Sequence, residues 1–533
     1  AVGGLVGMNC APQLPAATVA ATRIEGVHFV GGVIGANLPV GNFTVAGDVL
    51  QTSVTAGRVT ADGVAGGVIG YNRLLAGVDA DTDPAELLPT FDSENVLRAS
   101  DKAESETGVQ LTFNHFTNTL NLYANAYVGG IVGYNDNDTT LDIVDAVNGS
   151  SRNPLSVGGL NMGSAGKLAA GVRLSALAAG QLDFGDTVGY LAGGIVGQTT
   201  ANTRLTNCKN YGTIAHSCAA GGLTGWNGGT VYLGEMYASL GSQQTGYSYL
   251  GGVAGVNANL IQDASPVDGS TVRGSQNIGG VAGANLAGAT VAFTTNATPA
   301  ATVNADSNAG GVAGVNAGTI ALSNTKVNYT VAASQSAGGI AGSNITLDSD
   351  KIGTVTGGYP TGSVTATLYA GGAAGTNSGK IANVENHAAV RANDKLAGGI
   401  AGRNAAGGLI TVCRHTAGEV YATNGEAGGI AGGNAQNARI EDCIVTNGVA
   451  ITAANGAAGG MTATNAGTIH GGTLENCTVS FTADSVGAAV TYNNDTGVIE
   501  ALTLAANAGV TLKGPATTVG GLAGRSSGKI TGC

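Results

Sequence analysis

Residues 337–344 read "AGGIAGSN". A single phrase of this kind is compatible with a phosphate-cradling loop. Here it returns about every thirty residues along the whole chain, which marks an architectural unit. The glycine pair begins at Gly3, Gly31, Gly66, Gly129, Gly158, Gly193, Gly221, Gly251, Gly279, Gly310, Gly338, Gly371, Gly398, Gly428, Gly459 and Gly520, with a degenerate copy at Gly487. The gap from Gly66 to Gly129 is twice the usual size and is expected to hide one further copy. No copy ends in Gly-Lys-Ser/Thr and none opens a helix, so nucleotide binding is not the reading.

Six positions after the first glycine stands an asparagine: Asn9, Asn37, Asn72, Asn135, Asn227, Asn257, Asn285, Asn316, Asn344, Asn377, Asn404, Asn434, Asn465 and Asn493. Thr199, Ser164 and Ser526 fill the remaining frames. A Gly-x-Ile anchor follows in many copies, as in "AGTIALSN" (317–324), and then an alternating stretch such as "SVTATLYAGG" (363–372). Val/Ile/Thr alternation with no helical periodicity predicts short β-strands, about three per repeat. One such turn has too little apolar surface to be stable alone, and stacked turns share a core. The expected fold is therefore all-β: a parallel β-helix (β-solenoid) of about eighteen turns, right-handed, and about 85 Å long at the strand spacing.

In this arrangement glycine serves a tight corner, and asparagine carries an amide able to donate and accept along a stack of equivalent amides. The third motif position (Leu5, Val33, Ile131, Leu223, Ile340, Ile400, Ile430, Leu522) is expected inside. The fourth (Ile34, Ile69, Ala313, Ala341 and Ala374 among others) would point outward under strict alternation. It would then form an apolar strip for lateral packing, unless the corner itself breaks the alternation.

Composition agrees with a thin, tightly stacked interior. Of 533 residues 91 are glycine, only 5% are aromatic, and 11% are charged against the usual quarter. A net charge of −12 spread along the chain offers no footprint for nucleic acid. No apolar run is long enough to insert into a membrane and no signal-peptide pattern is read in these residues, so targeting and anchoring sequences are expected to lie outside them. Residues 1–533 are expected to form one continuous solenoid, with 73–128 an irregular acidic insertion or degenerate turn and 136–190 degenerate repeats with longer loops. Because the first and last residues already lie inside repeats, the chain is expected to continue into further repeats or to self-associate end to end.

Phrases such as "GGLVGMN" (3–9), "GGIVGYN" (129–135) and "GGLTGWNGGTV" (221–231), each followed by Gly-x-Ile strands, resemble the GLUG-motif repeats of bacterial surface and secreted proteins. The resemblance runs along nearly the whole chain and implies an extracellular, adhesin-like β-solenoid without a catalytic site. The expected role is a structural or adhesive segment at the cell surface, with host or cell-surface glycans or proteins as partners; the 22 Lys and Arg and dense backbone pairing add the expectation of a rigid protease-resistant rod, and its open turn edges that of fibres.

Residues with chemical potential are few. Cys208, Cys413, Cys443, Cys477 and Cys533 each lie three residues after an Ile or Leu, and Cys413, Cys443 and Cys477 are expected to stack as an inward column. Cys10 and Cys218 lie off that register. Glu441 and Glu475 are read as one register in adjacent turns, the paired-carboxylate arrangement of a carbohydrate-active β-helix and the alternative to a non-enzymatic role. Asp79, Asp81 and Asp83 resemble the opening of a calcium loop, but Pro84 stands where such a loop needs glycine. No other cofactor or metal is expected.

Overall fold

The computed structural model describes residues 1–11, 19, 23–40, 57–79, 81–91, 97–104, 110–136, 140–152, 155–158, 191–215, 219–241, 249–294, 298–505 and 509–533. It contains two compact units, residues 1–275 with 281–283, and residues 276–280 with 284–533. Each is an all-β parallel solenoid. Among the described residues the one helix is a single 3-10 turn, Pro84–Leu87.

One turn of the second unit illustrates how sequence becomes structure. A lead strand, Tyr369–Gly371, passes through the glycine pair into a corner strand, Ala374–Asn377. Lys380–Ala382, Glu385–Asn386 and Ala389–Ala392 follow as third, fourth and fifth strands. Every strand pairs in parallel with its equivalent one turn on: Ala370 with Ala397, Asn377 with Asn404, Ile381 with Ile410, Val390 with Val420. The turn therefore has five very short strands where the alternation predicts about three. The difference arises because two-residue strands are too short to show alternation, and because two of the corners use no glycine.

The interior is a set of single-residue columns. Ile320, Val355, Ile381, Ile410, Ile440, Ile469 and Ile499 stack at the third strand, all essentially inaccessible. Val331, Val364, Val390, Val420, Ile451 and Val479 do the same at the fifth. Burial of each contributes about 1.5–3 kcal/mol. Ile340 and Ala341 are both at 0% exposure, so the third and fourth motif positions both lie inside and the corner does break the alternation, except in the first and last turns, where Leu5 is exposed and Val6, Leu522 and Ala523 are half-buried. Glycine is required there. A Cβ on Gly338 would overlap the Ala341 carbonyl oxygen, and one on Gly339 would overlap that of Gly372. The N–H groups of Ile340 and Ala341 both donate to the Ala373 carbonyl one turn on, at 3.0 and 2.9 Å, so the bend leaves neither donor unsatisfied.

A second corner, between the third and fourth strands, holds non-glycine residues in the left-handed region: His115, Asp145, Asn207, Leu233 and Asp263 in the first unit, and Ser323, Asn383, Val412, Asp442 and Ala501 in the second. Asparagine and aspartate accept this conformation readily, whereas valine and leucine do so only when the surrounding pairing dictates it.

About 14 turns are formed rather than eighteen. Gly66 pairs directly with Gly129, and Gly129 with Gly193, so no hidden copy lies between the first two and Gly158 makes no corner. Gly158 instead pairs with Tyr123 and Ala215 on the fifth-strand face. The extra length after Gly66 is an excursion from Asn72 that returns to the third-strand face at Gln110–Asn114. It carries the 3-10 turn and a small antiparallel pair, Thr90–Phe91 with Leu97–Arg98. Within 136–190, residues 137–139, 153–154 and 159–190, with Ser164, lie outside the described residues.

Candidate functional site

The corner asparagines form columns of side-chain hydrogen bonds. In the first unit Asn9 donates to Asn37 (2.9 Å), Asn37 to Asn72 (2.9 Å) and Asn72 to Asn135 (2.7 Å). Where Thr199 replaces asparagine, Asn135 donates instead to the Thr203 hydroxyl at 3.1 Å, and Thr199 lies 3.2 Å from the Asn227 amide oxygen. Asn227 then donates to Asn257 at 2.7 Å. In the second unit the column runs from Asn285 through Asn316, Asn344, Asn377, Asn404, Asn434 and Asn465 to Asn493, every step 2.8–2.9 Å. Asn493 donates to Ser526 at 3.0 Å. The second amide hydrogen is also used: Asn344 donates to the Lys380 carbonyl at 3.2 Å and Asn404 to that of Arg439 at 3.1 Å. The polar groups of a dry corner are thereby satisfied by their own repetition.

A second column escaped the sequence reading. Asn118 donates to Asn148 and Asn148 to Asn210, both at 2.7 Å, on the two-residue fourth strand. Its signal is weak because the same face holds Met236 and Pro266 in the next turns. The corresponding face of the second unit carries Asn386, His415 and Val445. His415 is fully buried, with Nδ1 3.0 Å from the Gly429 carbonyl. Burial pushes its pKa down to about 4, against the opposing pull of the Gly429 and Ala417 backbone.

The cysteines divide differently from the expected column. Cys208, Cys413 and Cys443 are buried and follow left-handed residues at the same corner, and Cys533 follows Gly532 in the equivalent place. Cys477 does not stack on Cys443. Val445 pairs with Leu474, and Ala450 with Thr478, so Cys477 occupies the place held by Val449 one turn earlier. The left-handed pair Gly471 and Gly472 takes up the corner, displacing the apparent Leu-x-x-Cys frame by five residues. Burial pushes the Cys208 thiol up to about 12 and Cys477 up to about 11. Cys10 and Cys533 are exposed, and Cys218 lies outside the described residues.

The same shift separates the two glutamates. Glu441 pairs in register with His470, and its carboxylate is engaged by Arg439. Glu475 lies one turn on from Thr446, whose hydroxyl donates to it at 2.7 Å. They are not equivalent positions on one face. Of the calcium candidates, Asp79, Asp81 and Asp83 are all exposed, and Asp83 accepts from the Ala85 N–H at 2.9 Å as the N-cap of the 3-10 turn. Among the described residues no three His, Cys, Asp or Glu side chains gather where they could share a cation. No helix among them is long and apolar enough to cross a membrane.

The bend at the glycine pair turns the outward side chains of lead and corner strands toward one another, forming a trough along each unit. In the first unit the trough is filled by the chain's own rings. Phe29 lies 5.5 Å from Tyr71, Tyr71 stacks on Tyr134 at 5.8 Å, and Tyr127 meets Tyr134 edge-on at 4.9 Å. Phe91, from the excursion, covers Phe29 at 6.1 Å. In the second unit the trough opens into a cavity of about 570 Å³ beside Glu426 and Thr464. No protein-family model matches the chain, and no curated protein or solved structure matches it either.

Proposed function

We propose that the chain is a non-enzymatic structural and adhesive segment of a bacterial extracellular or cell-surface protein, built as a rigid, protease-resistant scaffold of GLUG-type repeats. The observation carrying this reading is the asparagine column of the second unit, in which eight successive corners are tied by direct amide bonds. A corner held by buried side-chain bonds as well as backbone pairing resists the local opening that proteases exploit. A right-handed coil is the expected hand, as for other parallel crossovers. The carbohydrate-active alternative loses its basis with the separation of Glu441 from Glu475. Lateral packing through the fourth motif position loses its basis too, because those residues are buried. Self-association through repeat stacking, and glycan or protein ligands, are the partners this reading retains.

Native digestion tests it. With 22 Lys and Arg available, trypsin at neutral pH should leave large fragments whose ends fall between strands. Rapid conversion to short peptides would overturn the scaffold reading.

A further inference from the structure

The trough of the second unit is a gap in an otherwise occupied column. Along the corner strands the outward position runs Arg403, Gly433, Thr464, Tyr492, one residue per turn. At the same position the first unit has Tyr71 and Tyr134. Gly433 has no need of glycine for its own backbone: its φ lies outside the positive range, and the nearest atoms to a Cβ there would be Thr464 Oγ1 at 3.3 Å and the Leu396 side chain at 3.4 Å. The missing side chain leaves a hollow of about 180 Å³ lined by Gly433, Leu396, Arg403 and Thr464, and the last three also line the adjoining recess of about 570 Å³ beside Glu426, which has the volume of an ordinary small-ligand site.

The walls of that recess are polar and balanced in charge. Glu426, from the lead strand of the same turn, accepts from the Thr464 hydroxyl at 2.8 Å across the trough. Burial raises its pKa, against the opposing pull of the Thr464 hydrogen bond. Lys395 and Arg403 line the rim, as does Asp394, and Lys395 sits 5.6 Å from the centre of the Tyr369 ring. Tyr369 and Tyr492 stand at opposite ends of the opening, with Tyr369 two turns before Glu426 and Tyr492 two turns after Gly433.

From this geometry we infer that the trough beside Gly433 and Glu426 binds a neutral oligosaccharide lying along the stack. Two acidic and two basic side chains cancel, so no charged chain is selected. The tyrosines offer faces for the C–H side of a sugar ring, and the carboxylate and guanidinium offer paired acceptors and donors for its hydroxyls. The inference deepens the adhesive reading by giving it a site and a ligand class.

The test uses the full chain and four defined probes: cellotetraose, xylotetraose, mannotetraose and tetra-N-acetylchitotetraose, followed by saturation-transfer NMR and calorimetry. At least one should bind with a Kd of about 1 mM or tighter. Gly433→Tyr supplies the ring that the first unit places at this position, so it should fold normally by hydrogen exchange yet weaken binding at least about tenfold. Glu426→Gln keeps the bond from Thr464 and should weaken binding by a smaller factor. Absence of binding by all four probes, or binding unchanged in Gly433→Tyr, overturns the site. Trilysine or polyglutamate binding that Gly433→Tyr abolishes, with the sugars silent, overturns the ligand class. Cleavage of a bound tetrasaccharide would leave the site standing and overturn the non-enzymatic reading, so the two fail separately.

Discussion

Replacing Asn344 with alanine is the most direct probe of the corner column. Asn344 is at 0% exposure, accepts from Asn316 at 2.8 Å, and donates to Asn377 at 2.8 Å and to the Lys380 carbonyl at 3.2 Å. Alanine at this position strands one hydrogen of Asn316 and the amide oxygen of Asn377 in a dry interior. At about 1–3 kcal/mol for each orphaned group, the loss is about 2–6 kcal/mol, with the longer Lys380 bond adding less. Threonine should cost about half as much, because Thr199 shows how one hydroxyl can bridge part of the gap. Aspartate should cost most at neutral pH, since it sets an unpaired charge against the Asn377 oxygen. Urea unfolding gives the total, and hydrogen exchange gives the location. Lost protection should centre on the strands from Asn316 to Asn404, because each turn contacts only its neighbours. A cost below about 1 kcal/mol for Asn344→Ala, or no difference between threonine and alanine, would refute the claim that the amide bonds hold the corner.

Other outcomes follow from the same geometry. His415 has a folded pKa of about 4 against 6.5 unfolded, so the unfolded chain binds more protons between those values. Above pH 6.5 both states hold it neutral and it adds no pH dependence, and stability falls as pH drops through the window, by up to about 3 kcal/mol. His415→Asn, which places there the residue found as Asn386 one turn earlier, should remove that part of the acid sensitivity in urea titrations at pH 7 and 4.5. With Cys218 replaced by serine, a charged thiol reagent should label Cys10 and Cys533 in the native chain. Cys208, Cys413, Cys443 and Cys477 should react only on unfolding. Gly371→Ala forces a Cβ into the Ala374 carbonyl oxygen and should abolish protection across its turn. Gly448→Ala, at φ +79° with nothing within 4 Å of the added carbon, should cost only about 1–2 kcal/mol.

The parts of this fold legible in the sequence are those where one residue type has a near-monopoly on a task. Gly338 and its equivalents avoid a backbone collision, and Asn344 and its equivalents need a donor and an acceptor on one short side chain, so both recur at a fixed offset. The left-handed corner stayed hidden because pairing on both sides imposes it on Asn383, Val412 and Asp442 alike. Register failed where a corner changed its glycine content: Gly471 and Gly472 moved Cys477 and Glu475 out of the frames that their spacing suggested. Gly158 carries the right phrase on the wrong face, a distinction made only by which strand it pairs with. The trough was invisible for a related reason. It depends on an absent side chain, in a column of outward residues that no core constraint keeps uniform.

In every Asn-to-Asn pair of these columns the amide nitrogen belongs to the earlier turn and the oxygen to the later one. The amide dipoles of a column therefore add, as peptide dipoles do in a helix, and each bond polarises the next. Rotating one amide by half a turn would set nitrogen against nitrogen on one side and oxygen against oxygen on the other. Reversing the whole column would set each amide oxygen against the backbone carbonyl that its second hydrogen now reaches, so the asparagines of the second unit keep one direction, and the coil acquires an electrical direction that its backbone strands alone do not confer.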